Sequence, residues 1–181
     1  MKICVFCSAN ANIDPAFFRA TEELGRWLAT NSHELVFGGV NQGLMECIAK
    51  AVKAAGGKTL GVVPSIVEAT GRTSQYNDVV KTCNNLSERK QLMLDLSDVF
   101  IALPGGIGTL DEIFTIAASR TIGYHHKQVV LYNIHGFWDS TIAMLDDMQQ
   151  HSMIRGNWRD YISVASGIAE LEDILNSSVT N

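Results

Sequence analysis

Nowhere does this sequence cluster lysine and arginine, and its formal net charge is −5. A nucleic-acid backbone needs a basic footprint, so a nucleic-acid partner is excluded; a small anion needs only one local set of donors and stays open. No apolar run approaches the roughly 20 residues that cross a bilayer, which excludes a membrane span. The opening Met1-Lys2 leads straight into the apolar residues 3–7, too short a stretch for the core of a secretory signal. Cysteine is sparse: four residues in a chain of this size, without such a signal, read as reduced thiols of a cytoplasmic protein. Cys4 and Cys7 form a C-x-x-C, but inside a predicted strand their odd separation sends them to opposite faces, which suits core packing rather than redox or metal chemistry.

Several catalytic signatures are missing as well. There is no G-x-S-x-G elbow, no dinucleotide G-x-G-x-x-G, and no Gly-Lys-Ser/Thr of a P-loop. His125-His126 are adjacent, with no further His, Cys or carboxylate at ligand spacing, so no metal and no cofactor is implied. Repeats, low-complexity tracts and dividing linkers are absent too. With 46% hydrophobic and 18% charged residues, the chain reads as one compact domain over residues 1–181.

What is present is an alternation of apolar strand-like runs with amphipathic segments. Strands are predicted over residues 2–7, 34–37, 59–63, 79–83, 99–103, 128–132 and 161–164. Helices are predicted from Asp14-Pro15 through Leu28, and over 43–55, 86–96, 109–122, 137–150 and 168–175, with 65–77 as a loop holding at most one helical turn. Such alternation implies a three-layer Rossmann-like α/β sandwich: a doubly wound, mostly parallel sheet with helices on both faces. Sheets of this kind bind ligands at the carboxyl ends of their strands, and both Gly38-Gly39 and Gly105-Gly106 fall there.

Leu103-Pro104-Gly105-Gly106-Ile107-Gly108-Thr109 takes a buried strand through three glycines into a helix. Glycine lets a ligand approach the backbone, and the helix N-terminus offers unpaired N–H groups to an anion. Two roles fit Glu112. Thr109-Leu-Asp-Glu112 matches a capping box, and the helix dipole favours a carboxylate there, which suits a base or an electrostatic stabiliser. Asp111 points about 100° away and does not share one ligand with it equally. Arg89 and Lys90 form either a solvated basic face or an anion clamp. Ser8 either bonds a phosphate or begins a turn.

Taken in order, these pieces resemble the LOG ("lonely guy") family. Pro104-Gly-Gly-Ile-Gly-Thr-Leu-Asp-Glu112 is similar to its P-G-G-x-G-T-x-x-E, Glu88-Arg89-Lys90 to its M-H-x-R-K, and Phe37-Gly-Gly-Val-Asn-Gln-Gly-Leu-Met45 to its Y-G-G-G-x-x-G-L-M. Val5-Phe-Cys-Ser8, Gly123-Tyr-His-His-Lys127 and Tyr132-Asn-Ile-His-Gly-Phe137 follow the pattern too, over residues 2–150. The resemblance implies hydrolysis of the N-glycosidic bond of a purine nucleoside 5′-monophosphate, AMP or a cytokinin riboside monophosphate. It places the catalytic pair on Arg89 and Glu112 and the phosphate on Gly105, Gly106, Ile107, Gly108 and Thr109, with Lys90, Ser8 and Gly39 beside it. It also implies a homodimer with active sites near the interface. The sequence departs from the family at Leu86-Ser87, at Glu46, and at Ala117-Ala-Ser-Arg-Thr-Ile122, the last expected near the base pocket. A non-catalytic carrier on the same scaffold, similar to molybdenum-cofactor carriers, is the second reading.

Overall fold

The computed structural model describes residues 1–177. Seven parallel strands form its sheet: β1 (Lys2–Phe6), β2 (Glu34–Phe37), β3 (Lys58–Pro64), β4 (Val79–Cys83), β5 (Val99–Ala102), β6 (Gln128–Tyr132) and β7 (Ser163–Ala165), in the order β4-β3-β2-β1-β5-β6-β7. The chain winds outward one way from β1 and then the other way from β5. The topological switch point therefore lies between β1 and β5.

Helices cover both faces. α1 (Pro15–Thr30), α2 (Gly43–Ala54) and α7 (Ile168–Ser177) pack on Ile3, Val5, Leu35 and Phe37. α4 (Leu86–Leu96), α5 (Ile107–Thr121) and α6 (Asp139–Gln150) pack on Cys4, Phe6, Val36 and Phe100. A single turn, α3 (Ser65–Glu68), follows β3. Strands buried on both sides read as continuous apolar runs, and alternation along β1 and the residue after it sends Cys4 to one core and Cys7 to the other. Both thiols are fully buried, and desolvation pushes each well above its ordinary value.

Local chemistry sets the helix starts. The Asp14 carboxylate accepts from the Ala16 amide, with Pro15 opening α1. Asn85 caps α4 by accepting from the Glu88 amide at 2.9 Å. The predicted strands and helices are recovered with their ends moved by a few residues. One shift has consequences: α5 begins at Ile107 rather than Thr109.

Candidate active site

The loops after β1 and β5 are tied at the switch point. The Ser8 amide donates to the Pro104 carbonyl at 3.1 Å, and the Leu44 amide, in the first turn of α2, donates to the Ser8 carbonyl at 2.9 Å. The Ser8 hydroxyl accepts from the Asn10 amide at 3.0 Å and so shapes the turn that follows. Between these loops lies a cavity of about 190 Å³, lined by Ser8, Ile13, Phe17, Pro104, Gly105, Gly106 and Phe137. Phe17 and Phe137 meet edge to face, with ring centroids 5.6 Å apart, and wall it off. The larger crevice of about 640 Å³, along α1 and the start of α7, contains none of the predicted site residues.

The glycine loop presents backbone. Gly106 is the N-cap of α5 and has no side-chain cap; the Leu110 amide is the first to turn back, donating to the Gly106 carbonyl at 3.0 Å. The amides of Ile107, Gly108 and Thr109 therefore open the helix without an intrahelical acceptor. A Cβ at Gly106 or Gly108 would meet nothing within 4 Å, whereas at Gly105 it would overlap the Thr109 side chain. Thr109 is buried against the loop, and Ile107 is 88% exposed at its rim. Gly39, in the left-handed region at φ 69°, lies in the second glycine turn, where its carbonyl accepts from the Ser74 amide at 2.8 Å and from Asn77 Nδ2 at 3.2 Å.

Below the loop, two consecutive residues of α4 meet two consecutive residues of α5. Arg89 Nη1 donates to Glu112 Oε1 at 2.5 Å, and Arg89 Nε to the Val62 carbonyl at 3.1 Å. Lys90 Nζ donates to both Asp111 oxygens, at 2.7 and 2.8 Å. Arg89 and Glu112 are only 8% and 5% exposed. Gly38 makes room for them, since a Cβ there would overlap the Arg89 guanidinium.

Glu112 is therefore not a helix cap. Thr109 is the third residue of α5 and Glu112 the sixth, so the capping-box register fails and the carboxylate turns inward to Arg89. The expectation that the helix dipole favours its charged form is overturned too. In the second turn the dipole has faded, and burial pushes the Glu112 carboxyl above its ordinary value despite the opposing pull of Arg89.

Residues 117–120 do not face this site within the chain. Ala117 is in the core, Arg120 Nη1 donates to the Lys127 and Tyr161 carbonyls, and Ala118 and Thr121 line an apolar groove against α6. His125 is a latch rather than a ligand: Nε2 bonds the Ile116 carbonyl at 3.0 Å and Nδ1 accepts from the Lys127 amide at 3.1 Å. Among the described residues no group of three or more His, Cys, Asp or Glu is placed to hold a metal. No helix among them is long and apolar enough to cross a membrane.

Sequence reasoning missed three contributors: the clearance at Gly38, the Val62 carbonyl, and the aromatic wall of Phe17 and Phe137. It saw Asp111 but gave it no partner. The visible signal was a pair of charged doublets, Arg89-Lys90 and Asp111-Glu112, on consecutive helices of one face.

Comparison with known proteins bears on this arrangement. A family model described as "Possible lysine decarboxylase" matches residues 45–175. A probable cytokinin riboside 5′-monophosphate phosphoribohydrolase of Oryza sativa subsp. japonica is 37% identical over 170 residues, 94% of this chain and 76% of that protein. A cytokinin riboside 5′-monophosphate phosphoribohydrolase of Arabidopsis thaliana is 35% identical over 170 residues, 94% of this chain and 80% of that one. Among solved structures, the molybdenum cofactor binding protein of Rippkaea orientalis superposes with a TM-score of 0.75 at 21% identity, covering 98% of this chain and 97% of that one. The molybdenum cofactor carrier protein of Chlamydomonas reinhardtii gives 0.75 at 23% identity over the whole of both chains. At such identity those two report the fold alone. The relatives, more than a third identical across nearly the whole sequence, report the family: the chain belongs to the LOG family of cytokinin riboside 5′-monophosphate phosphoribohydrolases.

Proposed function

We propose that this chain hydrolyses the N-glycosidic bond of a purine nucleoside 5′-monophosphate, AMP or a cytokinin riboside monophosphate, to free base and ribose 5-phosphate. Gly105, Gly106, Ile107, Gly108 and Thr109 receive the phosphate, with Ser8, Gly39 and Lys90 around it, and Arg89 and Glu112 carry the chemistry. The enzyme works in the cytoplasm as a homodimer whose sites lie near the interface. The observation that carries the reading is the buried Arg89–Glu112 pair, whose glutamate stands on the helix that the glycine loop opens.

Cleavage of a ribosyl bond builds positive charge on C1′ and the ring oxygen, as in glycosidases. A carboxylate nearby stabilises that charge and takes a proton from the attacking water. The oxygen of that water bonds to C1′ while the bonding pair leaves with the base nitrogen, which takes up the proton that the carboxyl gives back, directly or through solvent. Burial helps here, because a carboxyl lifted above its ordinary value is a stronger base when ionised. Arg89 holds Glu112 ionised and oriented through a charge-assisted bond. The phosphate, fixed at the loop, places the reacting bond and lends its binding energy to the transition state. A carrier needs no such pair, and the likeness to carrier proteins extends to fold only.

The test is to incubate the protein with AMP and with isopentenyladenosine monophosphate and to assay free base and ribose 5-phosphate. Stoichiometric release of both is expected. No release from any nucleoside monophosphate would reject the enzyme.

A further inference from the structure

In the reading above Lys90 stands only beside the phosphate, and its ion pair with Asp111 has no role. Lys90 Nζ sits between both oxygens of Asp111 and is itself largely covered, with 15% of its side chain exposed against 48% for Asp111. We infer that Lys90 and Asp111 are positioning residues that brace α4 against α5 and set opposing charges beside Glu112. The inference rests on the proposed role of Glu112 as the reaction's carboxylate.

The geometry is that of two struts in adjacent positions. Residues 89 and 90 of α4 meet residues 112 and 111 of α5, so the two bonds cross the same helix gap at neighbouring points. One strut alone leaves the helices free to pivot about it; two fix their rotation. At the N-terminal ends of the two helices Leu86 is 61% exposed and Ile107 88% exposed, while Met93 and Ile113 lie in the shared core. Apolar packing holds the core side of the two helices, and the ion pairs join them beside it.

The charges also act directly. The groups that bear on Glu112 are Arg89 and Lys90 from α4, Asp111 from its own helix, Cys4 from β1 and Cys7 just after it. The two thiols are held neutral by burial, leaving one like charge and two opposite ones. Asp111 pushes the Glu112 carboxyl up and Lys90 draws it down, so the pair leaves Glu112 close to the balance that burial and Arg89 define. Losing either member tips it, and the two losses tip it in opposite directions.

That opposition is measurable. The acid limb of kcat/KM for AMP reports the protonation of the catalytic carboxyl in the free enzyme. Asp111→Asn is expected to move the limb to lower pH and Lys90→Met to higher pH, each by roughly half a unit for a partly exposed charge. Lys90→Arg and Asp111→Glu keep the charges and should restore the wild-type limb. A pair serving only stability would lower yield or melting temperature in all variants and leave the limb in place. A limb that stays fixed while KM for AMP rises in Lys90→Met would overturn the inference, returning Lys90 to a phosphate contact alone. So would shifts of both variants in the same direction. Failure of wild-type protein to release base would instead reject the enzymatic reading itself, so the two failures are distinguishable.

Discussion

Replacing Glu112 by glutamine removes one negative charge and keeps the shape and an acceptor for Arg89. In the structure the carboxylate is 5% exposed and receives Arg89 Nη1 at 2.5 Å. A single preorganised group aimed at developing transition-state charge is worth about 10²–10³ in kcat, or roughly 2.7–4 kcal/mol. Glu112→Gln should therefore lower kcat for AMP by that factor at neutral pH. KM should change less than about threefold if, as proposed, the glycine loop rather than Glu112 holds the phosphate. Stability should fall by up to about 3–5 kcal/mol, since Arg89 keeps an acceptor in the amide oxygen but loses its buried counter-charge. The assay is initial-rate base release, with urea unfolding run in parallel on the same preparation. A folded Glu112→Gln protein within tenfold of wild-type kcat would refute the reasoning and leave the pair a structural one.

Arg89→Ala strips the counter-charge from a buried carboxylate and should cost about 3–5 kcal/mol in urea unfolding. With the folded Glu112 carboxyl raised still further, the folded state binds more protons than the unfolded one, so this variant should regain stability as pH falls toward the ordinary carboxyl range. Gly38→Ala places a Cβ in the Arg89 guanidinium and should lower activity by at least about tenfold, with about 1–3 kcal/mol of overpacking strain seen in melts. The His125 imidazole is held below its ordinary value, mainly by burial, so the unfolded chain takes up its proton first. Stability should fall as pH drops through about 6.5, an effect smaller in His125→Gln, where the share of the likewise lowered His33 remains, and read as the urea midpoint against pH.

The sheet was legible because its central strands are buried on both sides, and period and length then leave few alternatives. Glu34–Phe37, Val79–Cys83, Leu86–Leu96 and Gln128–Tyr132 are recovered with the bounds expected from apolar runs and turn residues. The start of α5 was misplaced because Thr109 looks like a cap, whereas a glycine cap carries no side-chain signal at all. That two-residue shift is what made Glu112 ambiguous. Strand order, and with it the switch point between β1 and β5, is a long-range property that local patterns do not encode. The same holds for Gly38, whose glycine reads as a turn residue although what matters is the guanidinium arriving from α4, 51 positions later. The charged doublets were readable one by one, but their pairing needed the helix gap.

Helix α5 carries both ends of the proposed site, and this makes Gly108 a discriminating position. From the Gly106 cap to Glu112 the helix rises about 9 Å, the reach of a ribosyl phosphate plus one hydrogen bond. Gly108 stands one turn above Glu112 on the same face, where a Cβ would meet nothing within 4 Å. By packing alone, Gly108→Ala is harmless, and in a helix alanine is favoured over glycine by about 0.8–1 kcal/mol. The variant should accordingly be more stable than wild type, by up to that amount in urea unfolding. If the open space is where the ribosyl phosphate lies, the same methyl group should cost at least about tenfold in kcat/KM for AMP, because even small misplacement of a reacting bond is expensive. A gain in stability together with a loss of activity is the signature of a glycine kept for its ligand. A variant both more stable and fully active would show that the substrate does not pass over this turn, and would move the ribose away from Glu112.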